Sequence, residues 1–145
     1  TQKNYYYKLN LIKKKINYNG INQITIFQNK KQKFVKKILH NNDLFILPSL
    51  HEGLSIALVE AMSMKILCLV SRPSNHSKII IKNKNGYEFN LNKRSFLSVF
   101  NKIYSLSSAK RKKITLKARH TIEKLVVKNI IFEKRLIGML LSTHQ

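Results

Sequence analysis

Short apolar runs alternate along the chain with segments whose apolar residues recur at helical spacing. Four short runs predict β-strands, and they cover residues 24–27, 44–47, 66–70 and 87–91. Six segments with apolar residues three or four positions apart predict α-helices, and they cover residues 5–16, 32–40, 54–64, 95–106, 109–127 and 129–141. Strands and helices therefore follow one another in turn, and the chain ends in helices alone.

This alternation predicts an α/β fold, a parallel sheet flanked by helices. The run at residues 44–47 is apolar throughout and is closed by Pro48, which is typical of a buried parallel strand. In such sheets ligands bind beyond the carboxyl ends of the strands, where the strand order reverses. The loops that follow Phe27, Leu47 and Val70 are therefore the candidate ligand loops.

The length and composition are those of one globular domain. The chain has 145 residues, of which 43% are hydrophobic, so a packed core is possible. No stretch is apolar over the roughly 18 residues that a membrane span needs. The single cysteine, Cys68, lies in the apolar run 66–70, so we expect a buried thiol that acts as a small hydrophobic group. A chain with one cysteine cannot form an internal disulfide, which fits the reducing cytoplasm.

The net charge of +22 is the most unusual property of the sequence. One interpretation is an anionic partner, either nucleic acid or an acidic membrane surface. The other is compositional drift, because Lys, Asn and Ile share A/T-rich codons and the lysines are spread over the whole chain. Arginine, which suits bidentate contacts, is scarce, and no zinc-binding, homeodomain or RNA-recognition signature is present. A nucleic-acid partner is therefore the less favoured interpretation.

Acidic residues are rare, and three of the six fall in one strand–loop–helix unit: Asp43, Glu52 and Glu60. The helix predicted around Glu60 is apolar nearly all round, which predicts that it is buried. A carboxylate there needs partners, because an unpaired buried charge costs on the order of several kcal/mol. Glu60 therefore either forms a salt bridge with a lysine or accepts hydrogen bonds from paired hydroxyls of a ligand, such as a ribose.

The start of the same helix is a second candidate site. Glu52-Gly53-Leu54-Ser55 lies where the loop after the strand meets the helix. Gly53 allows a close approach to the backbone, and the free N–H groups and dipole of a first helical turn favour an anion such as a phosphate. Ser55 is also a suitable N-cap with a purely structural role. Many loops of this kind share these features, so they do not identify a ligand by themselves.

Three segments taken together resemble the family 4 type of retaining glycosyltransferases. The segments are Asp43-Leu44-Phe45-Ile46-Leu47-Pro48-Ser49, Glu52-Gly53-Leu54 and Glu60-Ala61-Met62. Seven residues separate Glu52 from Glu60, as they separate the two glutamates of that family, and Asn85-Gly86 stands where the family has the same pair before a short strand. Members have the GT-B fold, in which two Rossmann-like domains face a cleft. The resemblance implies that residues 1–145 are a partial, N-terminally truncated C-terminal domain of such an enzyme.

The resemblance also implies a role for each residue of the motif. The glutamate at the position of Glu52 lies by the donor sugar in that family, so Glu52 is the expected catalytic residue. The amides of Gly53, Leu54 and Ser55 are expected to approach the sugar and the diphosphate, and Glu60 is expected to bind the ribose hydroxyls. The implied reaction transfers a hexosyl group from a nucleotide-diphosphate sugar to a glycan or lipid-linked acceptor. No metal ion and no cofactor beyond the donor are implied.

Several positions depart from the family pattern. Lys65 and Leu67 stand where the family usually has Gly and Pro after the helix, and Gln28 replaces a Gly after the first strand. Residues 74–78 replace a loop that often reads Gly-Gly-x-x-Glu, so Lys78 stands in place of an acid. We expect the helix to end with Lys65 in the left-handed conformation that a Gly commonly adopts, at a modest cost.

The resemblance makes part of the enzyme expected outside this chain. The Arg and Lys that neutralise the donor diphosphate, and the domain that binds the acceptor, are expected before residue 1, so we expect the 145-residue chain alone to be inactive. The expected partners are that N-terminal domain, the nucleotide sugar, the acceptor and an anionic membrane surface. The expected location is the cytoplasm, peripheral on the inner face of the membrane. The alternatives are a basic nucleic-acid-binding module and a degenerate, inactive glycosyltransferase fragment.

Overall fold

The computed structural model describes residues 32–75 and 78–142 of the chain. In these residues the elements are, in chain order, α1 (Gln32–His40), β1 (Leu44–Leu47), α2 (Ile56–Ser63), β2 (Leu67–Ser71), a 3₁₀-helix (Arg72–Asn75), β3 (Tyr87–Phe89), α3 (Lys93–Tyr104) and α4 (Ser108–Ser142). The helix predicted at residues 5–16 and the strand predicted at residues 24–27 lie outside the described residues.

The three described strands form one parallel sheet in the order β1-β2-β3. Leu44 pairs with Leu67 and Leu47 with Val70, while Leu69 of the central strand pairs with Tyr87 of β3. Every residue of β2 is buried, as a parallel strand covered on both faces must be. The predicted α/β fold with a parallel sheet flanked by helices is confirmed.

Alternate residues of β2 pack into two separate halves of the core, as the two-residue period of a strand requires. One half contains Cys68 and Val70 with residues of α2 and α4, among them Leu58, Met62 and Ala118. The other half contains Leu67 and Leu69 with residues of β3, α3 and α4, among them Tyr87, Ile103 and Ile114. Helices therefore cover the central strand on both of its faces.

The thiol of Cys68 is fully buried in the first of these halves. Its Sγ atom lies 3.3 Å from the carbonyl oxygen of Ile66. Burial raises the pKa of Cys68 to about 12, so the thiol stays protonated at neutral pH and is a poor nucleophile. The prediction of a buried thiol that acts as a small hydrophobic group is confirmed.

Helix α2 ends in the way that the sequence predicts for Lys65. This residue has a φ of 61°, and its N–H donates to the carbonyl of Met62 at 3.1 Å, while the N–H of Ile66 donates to the carbonyl of Ala61 at 3.0 Å. These two bonds define a Schellman motif, in which glycine is the usual left-handed residue. Lysine holds the position here at a cost of about 1–2 kcal/mol.

The end of the chain differs from the prediction, because the helices expected at residues 109–127 and 129–141 are one helix, α4 (Ser108–Ser142). The predicted break at residue 128 contains neither Gly nor Pro, and the weak helix propensity of Asn129 costs only about 0.7 kcal/mol. Among the described helices, none combines the length and the apolar character that crossing a membrane demands.

Candidate functional site

The carboxylate of Glu52 lies in the loop between β1 and α2, beyond the carboxyl end of β1. Glu52 is half-buried, and its Oε1 atom accepts a hydrogen bond of 3.1 Å from the hydroxyl of Ser49. That bond fixes one carboxylate oxygen by a residue of the same loop. Because the strands are parallel, this loop lies at the sheet edge where α/β proteins bind ligands.

A cavity of about 440 Å³ opens at this loop, lined by His51, Glu52, Gly53 and Pro73. Pro73 belongs to the 3₁₀-helix that follows β2, so the cavity lies where the loops after β1 and β2 meet. Its volume is in the range of small-molecule sites, roughly 300–1,000 Å³. The structure therefore brings Glu52 and Gly53 together in one cavity at the carboxyl edge of the sheet.

Two buried serines connect the loops that form this cavity. The hydroxyl of Ser71 donates to the carbonyl of Ser49, and the Ser74 hydroxyl lies 3.2 Å from the carbonyl oxygen of Leu47. Ser74 also donates its backbone N–H to the Ser71 hydroxyl, at 3.3 Å. The loop that carries Glu52 is thus held to the end of β2. These serines were not predicted as functional residues, because their one signal is that they lie at and just after the end of a buried strand.

The helix start next to the cavity has the N-cap that the sequence suggested. Ser55 precedes α2 in an extended conformation, and its hydroxyl accepts a hydrogen bond of 3.4 Å from the N–H of Leu58. The structural role considered for Ser55 is therefore confirmed. Leu54 is exposed, and neither Leu54 nor Ser55 is among the described residues that line the cavity.

Gly53 has no neighbour that would require a glycine. A Cβ atom built at this position meets no other atom within 4 Å. Packing within the described part of the chain therefore does not explain the missing side chain. The backbone at Gly53 faces open space, where a ligand has room to approach it.

Glu60 lies in the second turn of α2, apart from this cavity. Its side chain is half-buried and is not without a partner, and it is not among the described residues that line the cavity. The expectation that this helix is buried between the sheet and its neighbours is confirmed for Leu58, Ala61 and Met62, while Ile56 at its start is 74% exposed. The helix covers Ile56–Ser63, rather than residues 54–64, and contacts β1, β2 and α4.

The loop where the family often has Gly-Gly-x-x-Glu is held by Asn75. This buried side chain donates to the Ile80 carbonyl at 2.9 Å and to Glu88 Oε1 at 2.6 Å, and its Oδ1 accepts from the Ile80 N–H at 3.0 Å. Lys78 is exposed with a φ of 51°, and residues 76 and 77 lie outside the described residues. In residues 32–75 and 78–142 no three or more His, Cys, Asp or Glu side chains group as metal ligands would, and the expectation of no metal or cofactor stays a prediction.

Comparison with known proteins identifies a family whose model matches most of the chain. The family model described as "Glycosyl transferases group 1" matches residues 5–121. An Escherichia coli protein named UDP-Gal:alpha-D-GlcNAc-diphosphoundecaprenol alpha-1,3-galactosyltransferase is 34% identical over 58 residues, which are 40% of this chain and 15% of that protein. The chain thus spans a small part of the curated relative that it matches.

Three solved structures share the fold. The C-terminal domain of a glycosyl transferase group 1 family protein from Francisella tularensis is 19% identical, with a TM-score of 0.72 over 86% of this chain and 64% of that one. A glycosyltransferase from Rickettsia africae is 23% identical, with a TM-score of 0.66 over 80% and 32%. Sucrose-phosphate synthase from Thermosynechococcus elongatus is 14% identical, with a TM-score of 0.73 over 89% and 33%. The predicted C-terminal GT-B fold is therefore confirmed.

Proposed function

The chain belongs to the glycosyl transferases group 1 family, and from this premise we propose that it is the donor-binding part of a glycosyltransferase. It would bind a nucleotide-diphosphate sugar, from which a hexosyl group is transferred to a glycan or lipid-linked acceptor. The observation that carries the proposal is the cavity that Glu52 and Gly53 share beyond the carboxyl ends of β1 and β2. Binding of the donor there uses the same sheet edge that α/β proteins use for nucleotides.

Glu52 is proposed to act on the sugar of the donor. The Ser49 hydroxyl occupies its Oε1 atom, which leaves Oε2 to accept a hydrogen bond from a sugar hydroxyl. A charged acceptor of this kind contributes about 1.5–3 kcal/mol. Because the loop is held to β2 through Ser71, the carboxylate is positioned before the donor arrives, which is what catalysis by orientation requires.

The backbone from Gly53 to Ser55 is proposed to receive the diphosphate. The open space at Gly53 lets phosphate oxygens approach the amides just before α2. The positive end of the helix dipole favours negative charge at the same place. The departing diphosphate gains negative charge during transfer. Backbone N–H groups that are already in place to donate hydrogen bonds to it therefore stabilise the transition state.

Glu60 is proposed to bind the ribose hydroxyls of the nucleotide. It lies eight positions after Glu52, on the helix that begins three residues after Gly53 of the cavity. A donor with its sugar at Glu52 and its diphosphate at the start of α2 would have its nucleoside beyond the diphosphate, in the direction of Glu60. The salt-bridge interpretation of Glu60 predicts instead that Glu60→Gln lowers stability and leaves the affinity for the donor unchanged.

The first donor to test is UDP-galactose, because the relative that is 34% identical over 58 residues carries that donor in its name. The same name includes a diphosphoundecaprenol acceptor, so a lipid-linked acceptor is the first to test. Together with the net charge of +22, this supports a peripheral location on the inner face of the cytoplasmic membrane. A second Rossmann-like domain is the proposed protein partner, and no observation favours a nucleic-acid-binding module.

The proposal is tested by calorimetric titration of the chain together with the proposed N-terminal domain, which would supply the Arg and Lys for the diphosphate. The titrant is UDP-galactose, with GDP-mannose and ADP-glucose as comparison donors. Glu52→Gln should weaken binding of the preferred donor by about 1.5–3 kcal/mol, roughly 10- to 150-fold. The matched control is Glu123→Gln, because Glu123 is an exposed carboxylate on α4 that is paired with Arg119. Failure of all three donors to bind, or equal losses in the two variants, would overturn the proposal.

A further inference from the structure

A second cavity, of about 350 Å³, lies at the opposite edge of the sheet. Its lining includes Lys84, Asn85, Lys117, His120, Thr121 and Lys124. The first two belong to the loop that precedes β3, and the others lie on α4. Because residues before a parallel strand lie at its amino end, this cavity lies at the amino ends of the strands. The cavity that contains Glu52 lies at their carboxyl ends. The proposed glycosyl transfer makes no use of it.

The floor of this second cavity is fixed by the side chain of Asn85. Asn85 is 2% exposed, and its Oδ1 accepts from the N–H of Ile81 at 2.7 Å, while its Nδ2 donates to the Thr121 hydroxyl at 3.0 Å. The second bond joins the loop before β3 to α4. It therefore holds the loop that contains Lys84 beside the part of α4 that contains Lys117 and Lys124.

The lysines of α4 in this cavity share one face of the helix. Lys117 and Lys124 are seven positions apart, which is about two turns and roughly 10 Å along the axis. Thr121 lies between them, four positions after Lys117, so all three are on the same side. With Lys84 from the loop, three lysines border one space.

Carboxylates are absent from the described lining of this cavity. The acid that comes nearest in sequence is Glu123, which accepts a 2.8 Å hydrogen bond from Arg119 and lies 3.6 Å from the Nδ1 atom of His120. The hydrogen bond from Arg119 lowers the pKa of Glu123, so its charge is already matched. Among the residues described, none pairs with the ammonium groups of Lys84, Lys117 or Lys124.

We propose that this cavity binds the phosphate group of an anionic ligand. Lysines attract phosphate as point charges with three donors each, and three of them around one concave space concentrate positive potential there. The total charge does not carry this proposal, because 28 Lys and Arg residues are spread over the whole chain. The fixed floor and the convergence of lysines without an acid distinguish this cavity. The phosphate can belong to a soluble phosphorylated molecule or to a lipid headgroup.

The test compares two variants of equal net charge in the 145-residue chain. The cavity variant carries Lys84→Gln, Lys117→Gln and Lys124→Gln. The control variant carries Lys110→Gln, Lys112→Gln and Lys113→Gln, which remove three exposed lysines from the first part of α4 that line none of the described cavities. All six replaced side chains are exposed, so both variants should fold, which denaturant unfolding checks.

The first probe is inorganic phosphate at constant ionic strength, followed by the amide resonances of Asn85 and Thr121 in nuclear magnetic resonance spectra. We expect saturable shifts for the natural sequence and the control variant. In the cavity variant we expect an affinity at least about tenfold lower, since each lost charge contact removes a strong hydrogen bond. Equal affinities in the two variants would show an effect of total charge alone and would overturn the proposal, as would the absence of saturable shifts.

The second probe identifies the source of the phosphate. It measures binding to vesicles of phosphatidylcholine mixed with phosphatidylglycerol. A larger loss in the cavity variant than in the control assigns the site to a lipid headgroup. Equal vesicle binding, together with the difference in phosphate affinity, assigns it to a soluble ligand. UDP-galactose titration of the cavity variant should match the natural sequence, which keeps this inference separate from the proposed donor site.

Discussion

The two edges of the sheet differ in how the chain builds them. At the carboxyl edge, residues 51–53 of one loop supply most of the described cavity lining, with Pro73 from the next loop. At the amino edge, the lysines come from segments more than thirty residues apart, Lys84 before β3 and Lys117 on α4. The first edge presents a half-buried carboxylate and open backbone, while the second presents cations over a buried amide. One sheet therefore has cavities with differently charged linings at its two edges.

The largest expected effect tests the structural role of the amino edge. Asn85→Ala should lower the free energy of unfolding by about 2–4 kcal/mol, because the buried Ile79 carbonyl and the part-buried Ile81 N–H both lose their partner. Denaturant unfolding measures the change. Asn101→Ala, at an exposed position on α3, is the control and should change stability by less than about 1 kcal/mol. A loss below 1 kcal/mol for Asn85→Ala would contradict a fixed floor under the lysine cavity.

The next effect extends the comparison along α2. If Glu60 binds ribose hydroxyls, Glu60→Gln should weaken nucleotide-sugar binding by about 1.5–3 kcal/mol and leave stability nearly unchanged, because an amide fills the same space. If Glu60 serves only a salt bridge, stability should fall instead, by less than the roughly 3–5 kcal/mol of a fully buried pair, because Glu60 is half-buried. Paired denaturant and UDP-galactose titrations separate the two. A stability loss with unchanged affinity in the folded fraction would remove Glu60 from the proposed site.

The glycines of the two edges offer a direct comparison. A Cβ at Gly86 would lie 2.8 Å from Ile80 Cδ1 and 3.1 Å from the Cys68 carbonyl oxygen, while a Cβ at Gly53 meets nothing within 4 Å. Gly86→Ala should therefore cost about 1–3 kcal/mol of stability through overpacking. Gly53→Ala should change stability by less than about 0.5 kcal/mol but weaken donor binding. Thermal or denaturant unfolding of both variants checks the contrast, which equal stability losses would refute.

The smallest effect concerns the hydroxyl that holds Glu52. Ser49→Ala should weaken UDP-galactose binding by about 0.5–1.5 kcal/mol, roughly 2- to 12-fold, because Oε1 of Glu52 loses its donor. Ser49→Thr keeps a hydroxyl and should keep most of the affinity. Calorimetry on the two variants makes the measurement. If Ser49→Thr weakens UDP-galactose binding as much as Ser49→Ala does, the loss of affinity comes from a changed loop shape and not from the lost hydrogen bond.

Local patterns predicted the carboxyl edge better than the amino edge. The apolar run 44–47, the Ser55 cap and the left-handed Lys65 are fixed by neighbours in the chain, so the sequence predicted them all. The position of Pro73 beside Glu52, and of Lys84 beside α4, depends on packing between distant segments. A single sequence carries no signal for such proximity. The same limit applies to Ile56, because no local pattern predicts that this residue at the start of α2 is exposed.

The sequence predicted two helices where the structure has one, α4, and the cause of this error is different. The residues around position 128 are weak helix formers that do not stop a helix, and nothing local shows whether packing continues beyond them. The roles assigned to Glu52, Gly53, Leu54, Ser55 and Glu60 stay predictions, because they depend on a donor and not on contacts within the chain.

The central claim is that the nucleotide sugar binds at the carboxyl edge of the sheet, and one measurement tests it most directly. The backbone amide resonances of residues 1–145 are followed in nuclear magnetic resonance spectra of the chain together with the proposed N-terminal domain. The titrant is UDP-galactose, or whichever tested donor binds best. The claim predicts saturable shifts at Glu52, Gly53 and Ser55, with Asn85 and Thr121 unchanged. Saturable shifts confined to Asn85 and Thr121, or no saturable shift at Gly53, would contradict it.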